Sequence, residues 1–183
     1  MKHLVPISVT AAWLLALGVG TAYWAAYDST PGQAGHVPIR RESTSAELVL
    51  FVHPKCPCAR SALAVVARLD PDFGKVRIVF VGHFGAEPDW WTGRNWESAG
   101  DRAERDEGGT IAQSYGVRTS GHAVLYDADG RLRFSGGVAP ARSAAPEIER
   151  QIVEWKRLLT EYDSPAVTRP VFGCPLFDEA TGK

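Results

Sequence analysis

The stretch Leu48 to Leu69, LVLFVHPKCPCARSALAVVARL, decides how the rest of the chain is read. A run of apolar residues (Leu48, Val49, Leu50, Phe51, Val52) stops at His53-Pro54, cysteines follow at positions 56 and 58, and helical spacing takes over from about Ala59 to Leu69. The pattern is a buried strand, a thiol loop and an amphipathic helix. Proline forces the residue before it toward extended backbone, which ends the strand at His53, and Pro57 suits the first turn of the helix. The first amides of a helix lack partners and carry partial positive charge, so a thiolate placed there is stabilised. Cysteine reactivity follows thiolate population, which makes Cys56 and Cys58 candidate nucleophiles or metal ligands. Two cysteines separated by one residue at a strand-to-helix turn are hard to account for as packing alone.

With 183 residues and 45% hydrophobic composition, the chain can bury one core of ordinary size. A net charge of −1 without a long basic run gives no electrostatic footprint for nucleic acid, and that class of partner is excluded. Three cysteines are too few for a disulfide-stapled miniature fold; the third, Cys174, lies far from the other two in sequence.

Lys2 and His3 precede a charge-free run from Leu4 to Tyr27, roughly 24 residues, long enough to cross a hydrocarbon core of about 30 Å. Tyr23, Trp24 and Tyr27 at its far end suit a lipid–water interface. Residues 1–27 therefore read as an N-terminal membrane anchor. A cleaved signal peptide, with Gly20-Thr21-Ala22 as its small-residue site, is the competing reading, and the apolar run continuing past that site favours the anchor. Lys2 as the only strong positive charge ahead of the span places the remainder outside the cytoplasm, periplasmic in a bacterium, and the signal-peptide reading exports it too.

Residues 28–45, rich in Pro, Gly, Ser and charge, read as a linker, residues 46–162 as the globular domain and residues 163–183 as an irregular tail. Lys75 to Val81 (KVRIVFV) predicts a second strand parallel to the first. Trp90, Trp91 and Trp96 read either as a lid or docking surface beside the thiols or as a cap on the core carried by a helix over Asn95 to Glu104. Glu107 to Tyr115 predicts a short helix stopped by Gly116, His122 to Tyr126 and Arg131 to Phe134 a hairpin, and Ala145 to Tyr162 an amphipathic helix covering a sheet.

The order β-α-β, α, β-hairpin, α, with thiols at the first strand-to-helix turn, resembles the thioredoxin fold over residues 46 to 162. The segment YGVRTSGHAVLYDADGRLRFSGG, Tyr115 to Gly137, adds the Tyr-Gly-Val, the tight turn facing the thiols and the last hairpin. More narrowly, the anchor, Cys56-Pro57-Cys58, the turn Thr119-Ser120-Gly121 and the closing VFGCPLF (Val171 to Phe177) resemble RedB-type membrane-anchored thioredoxin-like proteins. The resemblance implies an α/β protein with a central mixed sheet and helices on both faces, following a transmembrane helix. It also implies that Thr119, Ser120 and Gly121 face a substrate. The chain departs from the thioredoxin pattern in three places: one residue rather than two between its cysteines, Gly121 where a cis-proline is usual, and Leu50 where a buried Asp is usual.

Two functional classes follow. In one, Cys56 attacks a disulfide of a partner protein, and Cys58 or Cys174 resolves the mixed disulfide without any cofactor; a disulfide between Cys56 and Cys58 would close a cramped ring, which favours a third thiol. In the other, Cys56 and Cys58 hold a soft metal such as copper, joined by His122, His53 or Cys174. A non-catalytic interaction domain is a third possibility. A thiol peroxidase is disfavoured, because residues 49 to 56 lack the Pro and Thr such enzymes place before their cysteine. No phosphate-cradling glycine loop and no paired-His zinc motif is present.

Overall fold

The structure is a computed structural model in which residues 4–33, 35–39, 45–82 and 90–177 are described, the side chains of residues 4–7 and 90–93 excepted. Lys2, part of the expected linker, the last residues of the tail and the side chains of Trp90 and Trp91 lie outside that description. The chain divides into two compact units, Met1–Thr30 and Pro31–Lys183.

The first unit is one helix, α1 (Leu4–Ser29). Its span Ser8–Ser29 is 22 residues long and, by length and composition, apolar enough to cross a membrane. Trp13, Leu14, Leu15, Val19, Tyr23 and Trp24 are all exposed on it.

The second unit is built on a six-stranded sheet. Its strands are β1 (Glu47–Val52), β2 (Lys75–Val81), β3 (Ala103–Asp106), β4 (His122–Tyr126), β5 (Leu132–Gly136) and β6 (Val167–Thr168), in the spatial order β3-β2-β1-β4-β5-β6. β1 runs parallel to β2 and antiparallel to β4, so the central strand has one partner of each kind, and β4 and β5 form the antiparallel hairpin. Every residue of β1 after Glu47 is buried, because both faces of the strand are covered. Leu48, Leu50 and Val52 face helix α2 (Ala59–Val66) and helix α5 (Ile148–Thr160), whose Trp155 packs against Phe134 and Phe73. Val49 and Phe51 face the opposite way, toward Ala112 of the short helix α4 (Thr110–Ser114), Tyr115 and Val117. This is the mixed sheet with helices on both faces that the resemblance implies.

The elements differ from the expectation where local chemistry overrides the pattern. The helix expected over Asn95 to Glu104 is α3, Trp90–Ala99. Gly100, with φ of +56°, turns the chain out of it, and Ala103–Asp106 then forms the unforeseen edge strand β3 beside Ile78 to Val81. Trp96 is half-buried against the core, its ring 5.1 Å from that of Phe80. The α4 helix is shorter than predicted because the Asp106 carboxylate accepts hydrogen bonds from the Ile111 and Ala112 amides and fixes where it starts. At the far end of α5 the buried Arg133 guanidinium donates to the carbonyls of Leu158 (2.9 Å), Glu161 and Tyr162 (3.1 Å), satisfying acceptors that a helix C-terminus leaves open.

Two stretches without any apolar period lie along the domain. Residues 31–33 and 35–39, which composition reads as linker, form a strap. Gly32 N–H donates to the Val171 carbonyl (2.8 Å), the Tyr126 hydroxyl to the Pro38 carbonyl (2.7 Å) and Leu132 N–H to the Ile39 carbonyl (2.8 Å), and Val37 is buried. After α5, β6 pairs with the edge of β5, and the chain continues over Gly136 and Gly137, where a Cβ would meet the backbone of Arg169 or Pro170, toward the thiol loop.

Candidate functional site

The site forms where β1 ends. Cys56 N–H donates to the His53 carbonyl (3.0 Å), turning the chain after Pro54, and Cys58 stands at the N-cap of α2. The Thr119-Ser120-Gly121 turn is fastened to the same strand end, with His53 N–H donating to Ser120 Oγ (2.8 Å) and Gly121 N–H to the Phe51 carbonyl (2.7 Å). Gly121 has φ of +87°, a conformation in which a side chain is strained, while no atom lies within 4 Å of where its Cβ would sit. The residue is glycine for its backbone angle, not for want of space.

The tail completes the site. Residues 170–177 cross the turn antiparallel to it: Ser120 N–H donates to the Cys174 carbonyl (2.8 Å), Leu176 N–H donates to the Arg118 carbonyl (2.9 Å), and Thr119 and Pro175 form a bridge. Val171 and Leu176 are buried, and the Arg142 guanidinium donates to the Gly173 carbonyl. Cys56, Cys58 and Cys174 are all free thiols, and they meet at one point although more than a hundred residues separate the last from the first. Cys56 is 0% exposed; Cys58 and Cys174 are half-buried.

This geometry separates the three thiols electrostatically. The Cys56 thiol is pulled down from its ordinary value to about 5, chiefly because the Cys174 thiol donates to it. Burial opposes that shift, while the Cys174 amide, the Ser120 hydroxyl and the Cys58 amide add to it. Cys174 is pushed up, first because its proton is held in the hydrogen bond to Cys56, then by burial and by the charge on Cys56. Burial, followed by the Cys56 charge, raises Cys58, and the Arg142 charge works against the rise in both Cys58 and Cys174. The sequence places the source of thiolate stabilisation at the helix N-terminus; in the structure the tail adds donors of its own, the Cys174 thiol and amide, to the Cys58 amide at the N-cap.

His122 lies elsewhere. In the register of β1 and β4, Phe51 stands opposite His122 and Leu50 opposite Ala123, so His122 points to the face of Val49 and Phe51, away from the cluster that holds Cys56. Its Nε2 is 2.8 Å from Ser135 Oγ, its Nδ1 has no hydrogen-bond partner, and burial pushes the imidazole down to about 4, leaving it neutral. His53 Nδ1 accepts from the Lys55 amide (3.2 Å). Among the described residues no group of three or more His, Cys, Asp or Glu side chains stands in an arrangement suited to a metal ion.

Two positioning residues escape a reading by motif. Asn95, buried on α3, donates from Nδ2 to the Pro54 carbonyl (2.9 Å) and so steadies the thiol loop, and Arg142 comes from an irregular stretch with no periodic signal.

No protein-family model matches the chain, and no curated protein matches it. Among solved structures, a hypothetical protein from Sinorhizobium meliloti 1021 superposes with a TM-score of 0.58 at 19% identity, covering 80% of this chain and 93% of its own. An uncharacterized conserved protein from Geobacillus kaustophilus gives 0.54 at 18%, covering 81% and 89%. A secreted disulfide oxidoreductase from Mycobacterium tuberculosis gives 0.43 at 20%, covering 63% and 83%, a likeness too distant to bear on chemistry. With a β-α-β unit, a hairpin joined to its first strand, helices on both faces and cysteines at the first strand-to-helix turn, the second unit of the chain has a thioredoxin-like fold.

Proposed function

We propose that the protein is an exported, membrane-anchored thiol–disulfide oxidoreductase acting on protein thiols or disulfides, of the RedB-type subset of thioredoxin-like proteins, with Cys56 as nucleophile and Cys174 as its resolving partner. The observation that supports it most is the Cys56–Cys174 contact: one buried thiol held as thiolate, with a second thiol's proton directed at it. In the reducing direction, the Cys56 thiolate attacks one sulfur of a partner's disulfide. The S–S bond breaks, the other sulfur leaves as a thiolate and takes up a proton, and a mixed disulfide forms on Cys56. Cys174, deprotonated as that negative charge leaves Cys56, then attacks the Cys56 sulfur, releasing the partner's second thiol and leaving a Cys56–Cys174 disulfide. Two electrons pass to the partner; of the two protons its thiols take up, one is the Cys174 proton and the other comes from solvent, because Cys56 enters as a thiolate, and the oxidising direction is the same sequence reversed.

Cys174 suits resolution better than Cys58, because a link between Cys56 and Cys58 closes a small ring. A soft-metal role for Cys56, Cys58 and His122 would require His122 to cross from the opposite face of the sheet. Helix α1 supports the anchor and its exposed apolar residues an export route; a reporter active only when exported, fused after Lys183, is expected to be active.

The test is turnover of a protein disulfide substrate against dithiothreitol by the detergent-solubilised full chain, with metal analysis of the same preparation. Turnover that is lost in Cys56→Ser, without bound metal, is the expected result. Stoichiometric copper that disappears in Cys56→Ser, with no turnover, overturns it.

A further inference from the structure

The thiol best suited to attack is the one no partner can reach. Cys56 has no exposed surface: it is held in the core cluster beside the Ser120 turn and Cys58, and the chain's own tail, laid strand-wise across that turn, adds the Cys174 thiol directed at it. We infer that residues 170–177 are a tethered stand-in for a partner, and that an extended, cysteine-bearing segment of the partner protein must displace them to dock on the Arg118–Ser120 backbone. This rests on the thiol-exchange reading above and specifies its partner and its gate.

The tail itself shows what the surface accepts. The Ser120 amide and the Arg118 carbonyl pair with backbone, and so take any extended chain. The residue before the cysteine is restricted: a Cβ at Gly173 would run into the Ser120 carbonyl oxygen, so that position calls for glycine. Two residues past the cysteine, Leu176 is buried among Val49, Phe51 and Val117 and calls for an apolar side chain. The preferred partner motif is therefore Gly-Cys-X-apolar in extended form. The cover is also pinned from outside the tail: Gly32 N–H holds the Val171 carbonyl and Arg142 holds the Gly173 carbonyl, while the Thr119 hydroxyl, donating to the Gln33 carbonyl (3.0 Å), fastens the segment that carries Gly32 to the turn. Tethering gives the tail a high local concentration, so a free partner segment competes at a disadvantage unless the pins are loosened.

The test uses the full chain in detergent and a synthetic peptide of residues 169–177, whose cysteine carries a 5-thio-2-nitrobenzoate group. The Cys56 thiolate attacks the peptide sulfur, the coloured nitrothiobenzoate thiolate leaves, and a Cys56–peptide disulfide forms that mass spectrometry locates. Followed at a pH above the ordinary thiol value, so that Cys56 stays ionised after the Cys174 donor is lifted away, coupling to Cys56 is expected to be slow in the natural chain and faster by about tenfold or more in Gly173→Ala, whose tail can no longer lie flat, because the rate then follows the population of the lifted state. Arg142→Gln, which removes one pin and leaves the packing intact, is expected to give a smaller increase. The same peptide with alanine in place of its glycine is expected to lose the advantage. Equal coupling rates in the natural chain and both variants, or indifference to the peptide's glycine, overturn the inference. Peptide coupling that behaves as expected in a protein without turnover would retain the gate and reject the oxidoreductase; turnover unchanged by both variants would do the reverse.

Discussion

The two faces of the sheet, compared at the end where β1 and β4 meet the turn, handle a buried titratable group in opposite ways. On one face Cys56 is surrounded by donors from three separate segments: the tail, the turn and the start of α2. On the other, His122 has a single partner, Ser135. Both groups are buried, and burial alone disfavours charge on either; the donors reverse that outcome for the cysteine. Proximity in sequence to the turn therefore does not make a site. What matters is the set of hydrogen bonds that the fold directs at the group.

The largest expected consequence of that difference is in turnover. Cys56→Ser is expected to lower the disulfide-exchange rate by about a thousandfold or more, while His122→Gln, on the far face, changes it by no more than about threefold, measured with the same substrate. A loss of comparable size in His122→Gln would break the distinction between the faces.

A second expectation concerns stability against pH. His122 is held near 4 in the folded state by burial and takes the ordinary value near 6.5 when unfolded, so the unfolded state binds the extra proton between those values. Stability is then full above pH of about 6.5 and declines as pH falls toward 4, by an amount on the order of 3 kcal/mol. Denaturant unfolding of the natural chain and of His122→Gln across that range measures it, and the variant should lose most of the slope. If both chains show the same slope, burial of a neutral imidazole is not its source.

The smallest effect sharpens the thiol side. Ser120→Ala removes one donor to Cys56 and is expected to raise the midpoint at which the first thiolate appears by about one unit, the worth of one hydrogen bond to a charged acceptor. Thiolate ultraviolet absorbance followed against pH reads it. Because the Cys56 thiol is lowered, thiolate formation also adds stability as pH rises from about 5 toward the ordinary thiol range, and that gain shrinks in the same variant.

How much of this was legible follows from where the signals come from. The run Leu48 to Val52 and the β-branched segment Lys75 to Val81 announce central strands, because a strand buried on both faces must be apolar throughout. β3 carries Ala-Glu-Arg-Asp, and at a sheet edge its charges are tolerated; Glu104 pairs with Arg77, so no apolar signal survives to mark it. The strap of residues 31–33 and 35–39 is held by hydrogen bonds to its backbone and by the close approach of Gly35 to Gly116, neither of which leaves a period in the sequence. The convergence of Cys174 on the thiol loop could be anticipated from the apolar residues around it, since Val171 and Leu176 must be buried somewhere. Which atoms it meets could not, and neither could Arg142 or Asn95, whose roles depend on carbonyls presented by distant loops.

As the proposed redox pair, Cys56 and Cys174 should link on oxidation. Mild oxidation of the full chain, alkylation of remaining thiols and digestion under non-reducing conditions should yield one linked peptide joining Cys56 to Cys174, with Cys58 alkylated. A link between Cys56 and Cys58, with Cys174 alkylated, would contradict it and leave the tail as a structural strap.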